Sequence, residues 1–412
     1  MKCYSGYQYL LIDIANQYGL DKKLFEERIQ WASDNLTVLE SLADQAETKP
    51  LYMKAVMALR KAQKGIPTGH LVGMDACCSG IQIMSVLTGC IAGATATGLV
   101  DPTVRADAYT YTTKVMNDVL GGGVNISRKQ AKDALMTSFY GSKAKPKEIF
   151  GEDTPELNAF YQAAFTVAPG AWELLQDLLG TWKPFALKHE WKLPDGFDAK
   201  VKVMTKKEAR IEVDELDHAT FTYEFYENEG TKSGLSNAAN VVHSVDAYIL
   251  RCIQRRCNYD VCDVQFASEI IEAELIKRNL GVAVPGLDVV PMLEYYCEQY
   301  ARSGVADVVI LPYLTSEDMG YMTTDHLKAL AGIVNHMLTY KPFEVVTVHD
   351  EFKVHANNVN HLRQQYINVL AELADSDLLS DLLSQLHGTK GTSKKLSNNL
   401  GKLIRSSEYA LS

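Results

Sequence analysis

Apolar residues recur at three- and four-residue spacing through YLLIDIANQYGL and LFEERIQWASDNLTVLESLA, so residues 6–64 read as helices. The period changes after GIPTG at 65–69. The following HLVGMDACCSGIQIMSVL reads as a short buried strand ending near Asp75 and turning into a helix. Residues 103–120 regain a helical period. A glycine loop, GGGVN, then leads to SRKQAKDALMTSFYG, where Ser127 and Gln130 make a capping box and Gly141 ends the helix. Residues 199–228 alternate polar with β-branched or aromatic residues, which predicts one long antiparallel hairpin that projects. Late in the chain FEVVTVHDEFKVHAN predicts two strands flanking an exposed turn with His349 and Asp350, and helices follow.

Composition narrows the class. The 412 residues are 47% hydrophobic and 22% charged, the balance of an ordinary globular protein with a sizeable core in two or three lobes. The N-terminal MKCYSGYQYL lacks a basic segment before an apolar run, and the most apolar stretch, 86–100, is broken by Thr and Gly. No signal peptide or membrane span is therefore expected. The eight cysteines, at 3, 77, 78, 90, 252, 257, 262 and 297, lack paired C-x-x-C spacing, which favours reduced thiols and no zinc. Forty-one basic against 51 acidic residues give a net charge of -10. Phosphate contacts need Lys and Arg, so unaided DNA affinity is expected to be weak and any nucleic-acid groove to be locally basic.

Two acids carry the candidate chemistry. Asp75 and Asp350 each end an apolar strand. If the strands are neighbours, like charges at about 4 Å repel by roughly 4 kcal/mol at an effective dielectric of 20, and a cation between them removes the cost. Two divalent ions would satisfy both acids, activate an attacking hydroxyl and neutralise a leaving phosphate. A lone strand-end Asp more often caps a turn, so context has to decide. That context is the helix from Ser127: Arg128, Lys132 and Tyr140 are four and eight residues apart and would share one stripe, suited to a triphosphate. Spacing alone fits a solvated helix equally well.

MDACCSGIQ, RKQAKDALMTSFYGS and VHDEF together resemble motifs A, B and C of the T-odd phage single-subunit RNA polymerase family, in that family's order. Further similarity lies in GYQYLLIDIANQYGLDKKLFEERI, in PDGF at 194–197, in SGLSNAANVVHSVDAYILR and in the C-terminal EYALS. The resemblance implies an α+β, mainly helical fold: a right-hand polymerase palm and fingers with a small antiparallel palm sheet, the N-terminal domain and most of the thumb being absent. It implies two Mg2+ ions on Asp75 and Asp350 with the Ala76 carbonyl as a further ligand. Lys22, Arg128 and Lys132 would contact the triphosphate, Lys132 also giving a proton to pyrophosphate. Tyr140 would stack by the incoming base, His243 would meet the ribose and His349 would support the primer end. Asp133 after Lys132, and Ile83 where relatives often have a histidine, depart from the pattern.

Family-A DNA polymerases share similar second and third motifs, and they are the alternative enzyme. Five residues after the first Asp they typically place a glutamate that fills the space of a 2′-hydroxyl, where this chain has Gly80, which would leave that position open. Ribonucleotides are thus expected. An alternative of another class is a non-catalytic polymerase-like scaffold. No D-x-x-G-R element precedes the first motif, which points to a split enzyme with a smaller N-terminal subunit. The heterodimeric RNA polymerase II of Schitoviridae-type phages, whose large catalytic subunit has a fitting length, is the nearest resemblance. DNA template, nascent RNA and NTPs are the expected partners, with a single-stranded-DNA-binding recruiter and no membrane, in the cytoplasm of an infected bacterial host. The expected organisation is an N-terminal helical segment (1–74), motif A (75–102), fingers (103–240), a palm/fingers element (241–254), an insertion (255–335), and motif C with the foot (336–412).

Overall fold

The computed structural model describes all residues except 123, 231–236 and 283–289. The chain is mainly helical with small antiparallel sheets, an α+β fold. Three strands form one antiparallel sheet: β1 (Leu71–Asp75), β6 (Val346–Val348) and β7 (Glu351–His355), in the order β1-β7-β6. Alternation decides its faces. Val72 pairs with Val354 and Met74 with Phe352, and all four are buried. Gly73, Asp75, Glu351 and Lys353 consequently share the opposite face. Behind the apolar face pack the helices Ser79–Thr88, Asn237–Cys257 and Val359–Asp375, all part of one large hydrophobic cluster. Tyr366 joins them, its ring 5.7 Å from Phe352 and its hydroxyl donating to Gln82 Oε1 at 2.9 Å.

The N-terminal helices form as the pattern predicts. Ser5 and Gln8 cap the helix Gly6–Ala15 reciprocally, and Gly19, at φ 108°, lets the chain turn toward the helix Phe25–Asp34. The C-terminal segment adds a short edge to β1: Leu411 bridges Ala76, and Ser412 N donates to the Asp75 carbonyl at 3.0 Å. Buried Arg363 holds that segment through the Glu408 carboxylate at 2.9 Å and its carbonyl at 2.7 Å.

The expected single hairpin over 199–228 is two hairpins. β2 (Lys188–Lys192) pairs with β3 (Asp198–Lys202), and β4 (Thr205–Val213) pairs with β5 (Ala219–Glu227). The odd positions Ala199, Val201, Val203 and Thr205 stay apolar or β-branched across the break, which hides it, and PDGF forms the first turn, with Gly196 at φ 80°. Asp195 in that turn is gripped by Arg251 at 2.6 and 3.0 Å and by Arg255 at 3.3 Å, docking the β2–β3 turn onto the Asn237–Cys257 helix. The helix expected over 103–120 starts at Ala108, because the Asp107 side chain caps it from Tyr109 N.

A second hydrophobic cluster lies between Val264 and Met337, built on the helices Val261–Asn279 and Thr324–Met337. Within it His326 is buried and stacks on Tyr300 at 3.9 Å, and burial pushes its pKa down to about 4. An unfolded histidine titrates near 6.5, so between pH 6.5 and about 4 the unfolded chain binds the extra proton and the folded one does not. The stabilisation is complete above pH 6.5 and is lost as pH falls toward 4, at a cost on the order of 2 kcal/mol. Urea melts of wild type and His326→Phe across this range should diverge, with the shallower pH dependence in the variant; parallel curves would exonerate His326.

Candidate active site

β6 and β7 are joined by a two-residue turn, His349-Asp350, in which His349 adopts a left-handed φ of 55°. The Asp350 carbonyl accepts from Ala76 N at 3.3 Å, so the two acids stand on hydrogen-bonded neighbouring chain segments. Just past β1, Cys78 is also left-handed, φ 58°, and starts the Ser79–Thr88 helix. Such backbone conformations are uncommon for residues with side chains, and here they flank both acids. Asp75 keeps an exposed surface while neighbouring protein displaces part of its water. Desolvation first, then the charges of Asp350 and Glu351, push its pKa up to about 6 against the weaker pull of Lys22 and Arg105. Glu351 turns aside: its carboxylate folds over Gly73, where a Cβ would lie 2.1 Å from Oε1, and pairs with Lys353 at 3.1 Å.

A third acid, Asp246, faces Asp350. It lines the same cleft as Gly80, Tyr140, His243, His349 and Asp350, and burial followed by the Asp350 charge raises its pKa to about 6, with His349 opposing. The sequence reading passed over Asp246. Its signal was there: three residues after His243 on one helix, it falls on the same face.

A cationic wall stands beside the acids. A cavity of about 770 Å³ is lined by Lys22, Arg105, Lys114 and Arg128 together with Asp107 and Tyr111. The helix Arg128–Ser138 opens on the expected Ser127–Gln130 capping box. Arg128 Nε donates to Asp107 Oδ2 at 2.6 Å while its guanidinium lies 5.4 Å from the Tyr109 ring centroid, and Lys132 Nζ lies 5.7 Å from the same centroid. The two cations therefore share one aromatic platform. Lys22 enters from the N-terminal loop, which buried Arg28 fastens by donating to the carbonyls of Asp21 at 2.8 Å and Lys23 at 2.9 Å.

Tyr140 departs from the expected stripe. The helix ends at Ser138 with Phe139 as its C-cap, so Tyr140 lies beyond it, and Gly141 follows at φ 93°. Freed from the helix, Tyr140 reaches across the cleft to lie 4.8 Å from the His243 ring, which is itself exposed. Its hydroxyl occupies the space over Gly80: a Cβ there would lie 2.5 Å from Tyr140 Oη. The position expected to be open is thus filled by the Tyr140 phenol. Spacing could not show this, since the contact joins residues 60 apart in sequence.

The donor set suits a hard divalent cation. Asp75 and Asp350 offer carboxylate oxygens, the Asp350 charge being among the causes that raise the Asp75 pKa, and hard cations such as Mg2+ prefer oxygen. Cys77 Sγ accepts from Arg105 at 3.2 Å and donates to the Ala106 carbonyl at 3.2 Å.

The family model described as DNA-dependent RNA polymerase matches residues 3–148, a span that includes Lys22, Asp75, Gly80, Arg128, Lys132 and Tyr140. Among curated proteins, the DNA-directed RNA polymerase of Pseudomonas phage phiKMV is 27% identical over 175 residues, 34% of this chain and 21% of that protein. The chain spans about a fifth of the length of that relative. No described helix is long and apolar enough to cross a membrane.

Proposed function

We propose that this chain is the catalytic palm-and-fingers subunit of a phage-type DNA-directed RNA polymerase, joining ribonucleotides on a DNA template in the cytoplasm of an infected bacterium. The observation that carries the reading is the juxtaposition of Asp75, at the end of β1, and Asp350, in the turn before β7, beside a cavity walled by Lys22, Arg105 and Arg128. The similarity of residues 3–148 to RNA polymerases supports it.

In this reading Asp75 and Asp350, with the Ala76 carbonyl, hold two Mg2+ ions. When bound, those ions lower the pKa of the attacking 3′-hydroxyl and offset charge on the leaving pyrophosphate. The protein's own groups do the rest. Arg128 can leave Asp107 for a phosphate, exchanging one charge-assisted bond for another, and Lys22 and Lys132 flank it as point charges. Lys132 donates a proton toward pyrophosphate. Tyr140 swings from its place over Gly80 to stack beside the incoming base, with His243 against the ribose, while His349 orients the nascent RNA end next to Asp350. A smaller companion subunit supplies the D-x-x-G-R element and upstream contacts, as in the heterodimeric RNA polymerases of Schitoviridae-type phages. Its counterpart for duplex opening is a single-stranded-DNA-binding recruiter, because the chain's net charge of -10 disfavours unaided DNA binding.

The test is extension of a primed single strand by the chain with its co-expressed companion. Ribonucleotides should be favoured over deoxynucleotides on the order of a hundredfold or more, a preference that Tyr140→Phe narrows. Preference for deoxynucleotides would transfer the assignment to a DNA polymerase, and no extension under any pairing would favour a scaffold.

A further inference from the structure

The β4–β5 ribbon has two unlike faces. On one, Ile211 pairs with Phe221, Ala209 with Tyr223 and Lys207 with Phe225, and the Tyr223 and Phe225 rings stack at 5.4 Å. The other carries Arg210, Glu208, Glu224 and their threonine neighbours. This is the pattern of a strand pair with a core to pack against, yet among the described residues none covers it. β5 is exposed at every position except Phe225, with Phe221 52% and Tyr223 45% accessible, and among the described residues no strand pairs with either outer edge. A two-stranded ribbon alone is marginally stable in water, and an uncovered aromatic face with free edges marks a docking surface.

Charge selects the occupant. From 205 to 229 there are eight acidic residues against three basic ones. Lys206 and Lys207 are already paired, with Glu224 and with Glu227 and Glu229 respectively. The distal 211–219 holds four acids and no Lys or Arg. Phosphates are repelled by such a tip, and so is a second copy of a chain with net charge -10. We propose that the β4–β5 ribbon docks a cationic, amphipathic polypeptide segment, which adds to a strand edge, lays its apolar residues on Ile211, Phe221, Tyr223 and Phe225, and sets its Lys or Arg residues against the acidic tip. The mode is strand addition, with backbone bonds giving affinity and the aromatic face and acids giving selectivity. This surface stands apart from the carboxylate cleft and does not depend on the polymerase reading.

The purified full chain should be titrated with a fluorescent decapeptide of alternating Lys and Val, with hydrogen exchange read in parallel. Competitors are the Glu-Val counterpart and a 20-nucleotide oligo(dT). Expected are saturable one-to-one binding, amide protection confined to 205–227, and no competition from either competitor. Binding should weaken at least tenfold both in Phe221→Ser/Tyr223→Ser/Phe225→Ser and in Glu212→Lys/Asp214→Lys/Asp217→Lys, circular dichroism confirming an intact body. Equal binding by the serine variant would reduce the effect to bulk charge and overturn the proposal. Ribbon protection by oligo(dT) would make it a nucleic-acid surface, and self-association protecting the ribbon would make it a contact between copies; either result also overturns it.

Discussion

Asp350→Asn is expected to cut nucleotide addition about a thousandfold or more, roughly 4 kcal/mol of transition-state stabilisation, while the protein stays folded. The amide keeps the size of the side chain and one acceptor oxygen but removes the charge that a divalent cation needs. The same substitution relieves repulsion, because the Asp350 charge is among the causes that hold both Asp75 and Asp246 above the ordinary carboxylate range. Loss of activity should therefore come with an unchanged or slightly raised thermal midpoint, a combination that a merely structural residue does not produce. Calorimetry should show Mg2+ or Mn2+ binding weakened in step with the rate. Extension at near wild-type speed would remove Asp350 from the chemistry and, with it, the reading of the cleft.

The sequence foretold the elements that local pattern controls and missed those set by distant contacts. β1 and β7 are legible because alternation of Val72, Met74, Phe352 and Val354 declares a buried face, and the Ser127 capping box declares a helix start. The break between β3 and β4 is hard to read, since the odd positions Ala199, Val201, Val203 and Thr205 keep one parity across it and the adjacent apolar pair Val203-Met204 is a slight local signal of a change of partner strand. Tyr140 was placed on the helix because periodicity says nothing about where the last turn unwinds. What ends the helix at Ser138 cannot be read from spacing, and the contacts of Tyr140 with Gly80 and His243 belong to tertiary packing. Asp246 was overlooked for a different reason. It is within reach of a face argument, since it follows His243 by three residues on one helix, but an acid in mid-helix has no local mark that separates it from a solvated one.

Arg28 illustrates the same limit most sharply, and its replacement should have the second large effect. In LFEERIQWAS it looks like one more solvated charge on an amphipathic helix, yet it is completely buried. Its guanidinium donates to the carbonyls of Asp21 and Lys23 and to Asn16 Oδ1 at 2.9 Å, and it lies 4.8 Å from the Phe25 ring centroid. Burial first, then the like charge of Arg105, pushes its pKa down to about 9, so this cation is held by neutral acceptors against an electrostatic cost. The two carbonyls it grips bracket Lys22, whose place in the cavity wall they fix. Arg28→Met fills a similar volume but leaves three acceptors unpaired, at about 1–3 kcal/mol for each one that stays buried without water. A loss of stability of roughly 2–4 kcal/mol is expected. Because Lys22 is released rather than removed, the activity that survives should show a raised KM for nucleotide with a smaller fall in kcat. Lys22→Met, by contrast, should reproduce the KM effect with stability intact. Should Arg28→Met lower stability and leave KM at the wild-type value, Arg28 would be a packing residue with no part in positioning Lys22.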